Sequence, residues 1–206
     1  MLAEAAGHAA SDGDTEQALE FVGQIGDEAN RLRRLVVDLL DLSRLELPSG
    51  ACDVTDMRLA IVNALAAHRS AAGAAGLQVT LDAGAVADDD VYTTADSTDV
   101  AVALDNLLAN AISYTERGSV TVRLSADEDT VTVAVTDTGV GVPAEHLPRV
   151  FERFYRVDAA RTRVTGGTGL GLSLVRNAVE RSGGSVEIAS QVGVGTTVTV
   201  HLPRAH

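Results

Sequence analysis

Apolar residues recur every three or four positions over residues 16–46, which predicts a long amphipathic helix. Residues 11–15 are turn and capping types, and the alanine-rich residues 1–10 are expected to end a preceding helix. The apolar stripe comprises Val22, Ile25, Ala29, Leu32, Val36 and Leu39, widened by Leu35, Leu42 and Leu45. Such a stripe suits a helical bundle or a dimer, but a helix lying on its own domain would show the same pattern.

Beyond Pro48, Ser49 and Gly50, which break the helical pattern, helices and strands are mixed. Helical spacing predicts helices over residues 56–72, 97–116 and 168–182. Alternating apolar residues predict short strands at residues 77–81, 91–94, 120–124, 131–135, 186–188 and 198–202. Since hairpins predominate over helical crossovers, the pattern predicts a two-layer α+β sandwich.

The candidate chemistry lies between residues 137 and 171, where glycines form two clusters. In the first cluster, a strand ends at Asp137 and the chain turns through Gly139 and Gly141. The carboxylate of Asp137 at such a turn can accept a hydrogen bond from an amino group such as that of adenine. The second cluster opens a helix and consists of Gly166, Gly167, Gly169 and Gly171. Unpaired amides at such a helix start suit phosphate oxygens, although either cluster alone is equally compatible with ordinary turns.

Four motifs give these clusters a specific resemblance. DTGVG (137–141) resembles the G1 box, FERFYR (151–156) the F box and GGTGLGL (166–172) the G2 box of sensor histidine kinases. Upstream, DNLLANAISYT (105–115) resembles their N box. The motifs occur in the family's order, and the resemblance extends from about residue 53 to the end of the chain.

The resemblance implies the fold of the histidine-kinase/GHKL ATPases: a mixed, largely antiparallel sheet with helices on one face. ANRLRRLVVDLLDLSRLE (29–46) is similar to the second helix of the dimerisation and phosphotransfer hairpin of these kinases. The expected domains are therefore a partial hairpin over 1–47, a linker over 48–52 and an ATP-binding catalytic domain over 53–206.

Asn106 and Asn110 lie four residues apart, so their amides share one helix face, as two ordinary surface residues also would. By resemblance, Asn110 is the magnesium ligand, Asn106 supports it, and both act in catalysis with Arg156. The resemblance implies ATP and Mg2+ as cofactors, with a nucleotide site formed by Asn106, Asn110, Tyr114, Asp137, Gly139, Gly141, Tyr155, Arg156, Gly167, Thr168, Gly169, Leu170 and Gly171.

Two positions in the N box bear on the reaction. ATP-hydrolysing relatives usually carry glutamate four residues before the magnesium asparagine, and Asn106 at that position cannot act as a general base. This favours phosphoryl transfer over hydrolysis. Ser113 stands where the family commonly has lysine, and this chain contains no lysine. Arginines of the lid, residues 142–167, could supply the phosphate contact that this lysine would make. They are Arg149, Arg153, Arg156, Arg161 and Arg163. We expect the lid to become ordered on binding MgATP.

The phosphoacceptor histidine of the family has no counterpart among His8, His68, His146, His201 and His206, since none has the expected acidic and basic neighbours. The acceptor should stand a full helix before residue 46, and we interpret His8 as a bystander. Either the chain begins inside the hairpin, or the kinase is split and a separate protein supplies the acceptor helix.

Composition and charge exclude several classes of protein. A formal net charge of −13 argues against a general nucleic-acid binder. The single cysteine, Cys52, excludes an intramolecular disulfide, and no apolar run reaches the length of a membrane span. A cytoplasmic location is expected, either free or as the cytoplasmic part of a membrane-bound sensor.

The leading hypothesis is the catalytic portion of a two-component sensor kinase. It would transfer the γ-phosphoryl group of ATP to a histidine on another chain or segment, for relay to a response regulator. Self-association, or pairing with an acceptor protein, is expected through Leu32, Val36 and Leu39. The alternatives are a regulatory nucleotide-binding module without phosphotransfer, and a GHKL-type ATPase or serine kinase.

Overall fold

A computed structural model of the chain describes residues 1–11, 14–45, 54–84, 91–157 and 167–205. Its helices are α1 (Leu2–Ser11), α2 (Thr15–Leu45), α3 (Met57–Ala74), α4 (Ser97–Tyr114) and α5 (Gly171–Arg181). Its strands are β1 (Thr55–Asp56), β2 (Gln78–Asp82), β3 (Tyr92–Thr93), β4 (Ser119–Ala126), β5 (Thr130–Asp137), β6 (Ser185–Gln191) and β7 (Gly195–Pro203).

Five strands form the main sheet in the order β2-β4-β5-β7-β6. Strand β2 runs parallel to β4, and the other neighbours are antiparallel. Strands β1 and β3 form a separate two-stranded antiparallel ribbon. The predicted α+β class and the mixed, largely antiparallel sheet are therefore confirmed.

The core lies between one face of the sheet and helices α3, α4 and α5. Along each strand, every second side chain is buried. Two rows of buried side chains run across β4, β5 and β7: one consists of Val122, Val135 and Val198, and the other of Leu124, Val133 and Val200. The helices cover them with apolar side chains that include Met57, Ile61, Leu104, Leu108, Leu174 and Val175. The intervening strand residues are polar, mostly threonine, and face away from the helices.

Aspartate caps fix two of the helix starts. The side chain of Asp96 accepts a hydrogen bond from the amide of Thr98 at the start of α4, and Asp56 accepts one from Leu59 at the start of α3. The predicted helix over residues 168–182 begins later than expected, at Gly171. The glycine-rich residues before it have turn conformations, which leaves the first amides of α5 at the end of a loop.

Helix α2 lies partly on the sandwich of sheet and helices. Leu45 is buried in the core, and Leu35 and Leu42 pack against it. On the adjoining part of the same apolar stripe, Leu32, Val36 and Leu39 are at least half exposed. The helix thus makes the intramolecular contact that its sequence pattern allows, and pairing with another chain through the exposed part of the stripe stays a prediction. The expected linker, residues 48–52, falls outside the described residues.

Candidate nucleotide-binding site

The two amides of the N box meet the start of α5. Asn106 Nδ2 donates to the carbonyl oxygen of Val102 at 2.9 Å, which directs its Oδ1 away from the helix backbone. A Cβ atom added to Gly171 would lie 3.0 Å from Asn106 Oδ1 and 3.3 Å from Asn110 Nδ2. Glycine at 171 therefore keeps open the space between both amides and the first turn of α5.

The loop before α5 presents its backbone beside these amides. Leu170 is fully buried and anchors the loop, while its amide donates to Thr168 Oγ1 at 3.2 Å. Gly167, Thr168 and Gly169 precede it and are half-buried. The first amides of a helix have no intrahelical acceptor, so this end of α5 offers donors and a positive dipole to an anion.

Asp137 stands at the other end of the site, where β5 ends. Its side chain is 9% exposed, and its Oδ1 accepts from the amides of Gly139 at 2.8 Å and Thr196 at 3.2 Å. Within the described residues Oδ2 accepts no hydrogen bond, which leaves it available to a ligand's amino group. Burial raises the pKa of this carboxyl above its ordinary value of 3.8, and the two amide hydrogen bonds oppose that shift.

The G1 loop is seated on the last turn of α4. The amide of Val140 donates to the carbonyl oxygen of Tyr114 at 3.2 Å. A Cβ at Gly139 would come within 2.3 Å of that same oxygen, so only glycine allows this approach. Tyr114 itself is 39% exposed at this junction. One helix therefore carries Asn106 and Asn110 and also positions the loop behind Asp137.

The β6–β7 hairpin supports the far side of the G1 loop. Gly141 has a φ of +70° and lies against the backbone of Gln191, where a side chain would clash. The amide of Gly193 donates to the carbonyl oxygen of Val140 at 2.9 Å, and the amide of Val142 donates to Ser190 Oγ at 2.8 Å. These bonds hold the loop from both sides.

The described part of the lid, residues 142–157, contains its own polar cluster. Tyr155 Oη and His146 Nδ1 are 2.6 Å apart, and the guanidinium of Arg149 lies 4.3 Å from the centre of the Tyr155 ring. Arg149 also pairs with Glu152 at 3.0 Å. Tyr155 is thus held within the lid. Arg156, next in the chain, is half-buried.

A backbone hydrogen bond joins the described part of the lid to the G2 loop. The amide of Phe154 donates to the carbonyl oxygen of Gly169 at 2.8 Å. Both residues have left-handed backbones, with φ of +63° at Phe154 and +77° at Gly169. The backbone of Phe154 occupies the space where a Cβ of Gly169 would stand, with its carbonyl carbon 2.8 Å away.

The donor set fits a magnesium ion that is shared with phosphates. Among the described residues no group of three or more His, Cys, Asp or Glu side chains is arranged to hold a metal ion. Asn106 and Asn110 supply neutral oxygen donors beside an anion-binding helix start. Mg2+ commonly takes only one or two protein ligands and completes its shell with water and substrate phosphates.

The structure brings the N box, G1 and G2 residues into one region, whereas Arg161 and Arg163 fall outside the described residues. Sequence reasoning missed three supporting contacts: the Thr196 amide on Asp137, His146 on Tyr155, and a bond from Thr168 to Asp38 in α2. No local pattern signals the Thr196 and Asp38 contacts, because they join residues 59 and 130 positions apart.

Comparison with known proteins shows the family of this chain. Residues 95–206 match the family described as "Histidine kinase-, DNA gyrase B-, and HSP90-like ATPase". The chain belongs to this family. Within it, the chain is the ATP-binding catalytic portion of a protein of the sensor histidine kinase type, and the likeness to such kinases also covers α1 and α2.

Among curated proteins, "Sensor-like histidine kinase SenX3" of Mycobacterium tuberculosis is 38% identical over 206 residues, covering 98% of this chain and 49% of SenX3. "Phosphate regulon sensor protein PhoR" of Pseudomonas aeruginosa is 36% identical over 190 residues, covering 91% of this chain and 42% of PhoR. The chain thus spans about half the length of the curated relatives it matches.

Among solved structures, full-length ShkA superimposes with a TM-score of 0.70 at 26% identity, covering 93% of this chain and 39% of ShkA. Because 93% of this chain is covered, the likeness extends beyond residues 95–206. No helix among the described residues combines the length and apolar character needed to cross a membrane.

Proposed function

We propose that this chain binds MgATP between α4 and the lid and transfers the γ-phosphoryl group to a histidine. That histidine would belong to another chain or to a segment outside this sequence, and the phosphoryl group would pass on to an aspartate of a response regulator. The observation that carries the proposal is the placement of Asn106 and Asn110 against the first turn of α5 at Gly171.

The two ends of the site suit the two ends of ATP. At the phosphate end, α5 offers backbone donors, and the asparagine oxygens offer metal ligands without adding negative charge. At the base end, Asp137 Oδ2 is placed to accept from the exocyclic amine of adenine, while Oδ1 is held by two amides. Tyr114 lies at the base end, where the G1 loop contacts α4, and would line the pocket.

Positioning and charge stabilisation suffice for phosphoryl transfer. A magnesium ion held by Asn110 would offset the charge on the phosphate oxygens. Asn106 has no proton-accepting group to activate water, so the site favours transfer over hydrolysis. Arginines of the lid, Arg156 above all, are proposed to contact phosphate in place of the missing lysine at Ser113.

Likeness to named proteins supports the nucleotide and the reaction. ShkA was solved as a complex with AMPPNP, and SenX3 is named as a sensor-like histidine kinase. The exposed stripe of Leu32, Val36 and Leu39 offers a surface for a second copy or for an acceptor protein. The need for an acceptor in trans and the identity of the response regulator belong to this proposal.

The test uses ATP labelled at the γ-phosphate, with the full chain and a separately produced acceptor hairpin. We expect an acid-labile label on the hairpin that is lost with Asn110→Ala. Asn63→Ala is the matched control, because Asn63 is an exposed asparagine on α3 and its replacement should leave the label unchanged.

Other outcomes distinguish the alternatives. MgATP binding without label on any acceptor would overturn the kinase proposal in favour of a regulatory nucleotide-binding module. Steady release of inorganic phosphate would indicate an ATPase, and an acid-stable label would indicate a serine kinase.

A further inference from the structure

Hydrogen bonds from Thr168 and Arg181, together with the burial of Leu45, hold the C-terminal half of α2 on the catalytic domain. We call this set of contacts the α2 clasp. Thr168 Oγ1 donates to Asp38 Oδ2 at 2.5 Å. Arg181 Nη1, at the end of α5, donates to the carbonyl oxygens of Arg44 at 3.4 Å and Leu45 at 3.5 Å. Leu45 is buried in the core. The clasp therefore attaches α2 to both ends of α5.

The Asp38 contact falls on the loop that the proposed function assigns to phosphate. The Thr168 hydroxyl donates to Asp38 and also accepts from the amide of Leu170 at 3.2 Å. It thus connects the α2 carboxylate to the backbone of the G2 loop. A phosphate group bound by the G2 loop would come close to the Asp38 carboxylate.

The surroundings of Asp38 are already rich in negative charge. Burial is the main reason why the pKa of the Asp38 carboxyl lies above its ordinary value of 3.8. The negative charges of Asp41 and Asp105 also raise this pKa, whereas the hydrogen bond from Thr168 and the positive charge of Arg34 lower it. Terminal phosphates would add more charge of the same sign in a partly buried place, where repulsion is weakly screened.

We propose, resting on the proposed function, that Asp38 and the terminal phosphates of a bound nucleoside triphosphate compete at Thr168, so that nucleotide binding and docking of α2 oppose each other. Asp38 then senses the γ-phosphate: ATP releases the α2 clasp, whereas ADP, which lacks that group, leaves α2 docked. Release frees α2 together with its apolar stripe to move relative to the catalytic domain.

Coupling of this kind is reciprocal, so weakening the repulsion must strengthen binding of the triphosphate. Asp38→Asn keeps an oxygen that accepts from Thr168 but removes the charge. We expect its affinity for a nonhydrolysable ATP analogue to rise about tenfold and its affinity for ADP to rise less than about threefold. Asp41→Asn, one turn away and without the bond to Thr168, should change both affinities by less than about twofold.

The test measures these affinities in the full chain by calorimetry and follows α2 directly. Spin labels at Ser43→Cys and Glu187→Cys, both exposed positions, in a Cys52→Ser background report the distance between α2 and the sheet. The analogue should lengthen or broaden this distance, and ADP should not.

An unchanged distance with bound analogue, or equal gains for the triphosphate and ADP in Asp38→Asn, would overturn the competition while leaving the proposed function intact. Failure of the parent chain to bind any nucleotide would overturn both. Because the distance measurement uses the parent Asp38, it decides the matter even where Asp38→Asn folds poorly.

Discussion

The amide of Phe154 donates a 2.8 Å hydrogen bond to the carbonyl oxygen of Gly169, and this bond joins the lid to the G2 loop. Each residue has a left-handed backbone, and the two backbones are packed so closely that position 169 has no room for a side chain. A non-glycine residue with positive φ costs about 1 kcal/mol or more, so surrounding contacts must hold Phe154 in place.

Gly169→Ala should therefore separate the lid from the G2 loop and weaken MgATP binding by roughly tenfold or more. Gly193→Ala is the matched control: its φ is +78°, close to the +77° of Gly169, but a Cβ there meets no atom within 4 Å. Both variants carry about 1–2 kcal/mol of backbone strain, and Gly169→Ala should lose more unfolding free energy because its Cβ also meets the Phe154 backbone. Only Gly169→Ala should lose nucleotide affinity in calorimetry; equal losses would contradict the role of the contact.

Gly171→Ala tests the space between the asparagine amides. Residue 171 has no positive φ, so alanine at the start of α5 adds no backbone strain. The unfolding free energy should stay the same or rise by up to about 1 kcal/mol, whereas the magnesium-dependent part of nucleotide affinity should fall.

Gly73→Ala in α3, where a Cβ meets no atom within 4 Å, should give the same gain in stability with unchanged affinity. Chemical denaturation and titrations of nucleotide with and without Mg2+ measure both effects. Full affinity in Gly171→Ala would count against a metal site at this point.

Asp137→Asn should separate stability from base recognition. The amide oxygen of asparagine can still accept from Gly139 and Thr196, while its NH2 group would face the adenine amine as a second donor. ATP affinity should fall roughly 10- to 100-fold, with no loss of unfolding free energy at neutral pH. Asp82→Asn, an exposed carboxylate on β2, should leave affinity unchanged.

The raised pKa of Asp137 sets the sign of a pH effect. Because the folded state binds this proton more tightly than the unfolded state, protonation of Asp137 favours folding. The stability of the parent chain relative to Asp137→Asn should be highest below the ordinary value of 3.8 and should fall as pH rises from there through the folded pKa. ATP affinity should change in the opposite direction, since the base contact requires the carboxylate. Denaturation and binding measured over this pH range would show both trends; parallel curves would contradict the assignment.

Arg181→Met should be strongly destabilising. Arg181 makes two hydrogen bonds to Asp99, at 2.8 and 3.1 Å, and the Asp99 side chain is only 2% exposed. Removing the cation leaves a buried charge and should cost about 3–5 kcal/mol in chemical denaturation. Arg176→Met breaks only an exposed pair with Glu180 and should cost less than about 0.5 kcal/mol. Adding Asp99→Asn to Arg181→Met should recover part of the loss.

Local patterns were sufficient to predict the helices and hairpins. The alternating valines of β4 and β5 specify strands, and the turn between them is short enough to pair them as neighbours. The same patterns do not specify that β2 runs parallel to β4 or that β7 lies between β5 and β6. These pairings depend on which surfaces the helices cover, and that is decided by packing across the whole chain.

In the candidate site too, local patterns predict some of the residues but not their contacts with distant parts of the chain. Asn106, Asn110, Asp137 and the glycines could be predicted as site residues because motif order and spacing along the chain point to them. The bond from Thr168 to Asp38 was not predicted, because Asp38 stands at helical spacing with Leu35 and Leu42, and an aspartate among apolar positions gives no sign of a distant partner. The later start of α5 has a physical cause as well: a buried Leu170 and the turn at Gly169 end the loop before the helix can begin.

Helix α4 fixes the spacing between two parts of the candidate site. Asn106 and Asn110 mark one end, and Tyr114, on which the G1 loop rests, marks the other. At about 1.5 Å per residue, the eight steps from Asn106 to Tyr114 span about 12 Å. The rise of this one helix thus sets the distance between the asparagine amides and the backbone on which the G1 loop rests, and the lid can shift without changing that distance. Inserting one residue between these positions would turn one end by about 100° and leave no nucleotide able to satisfy both ends.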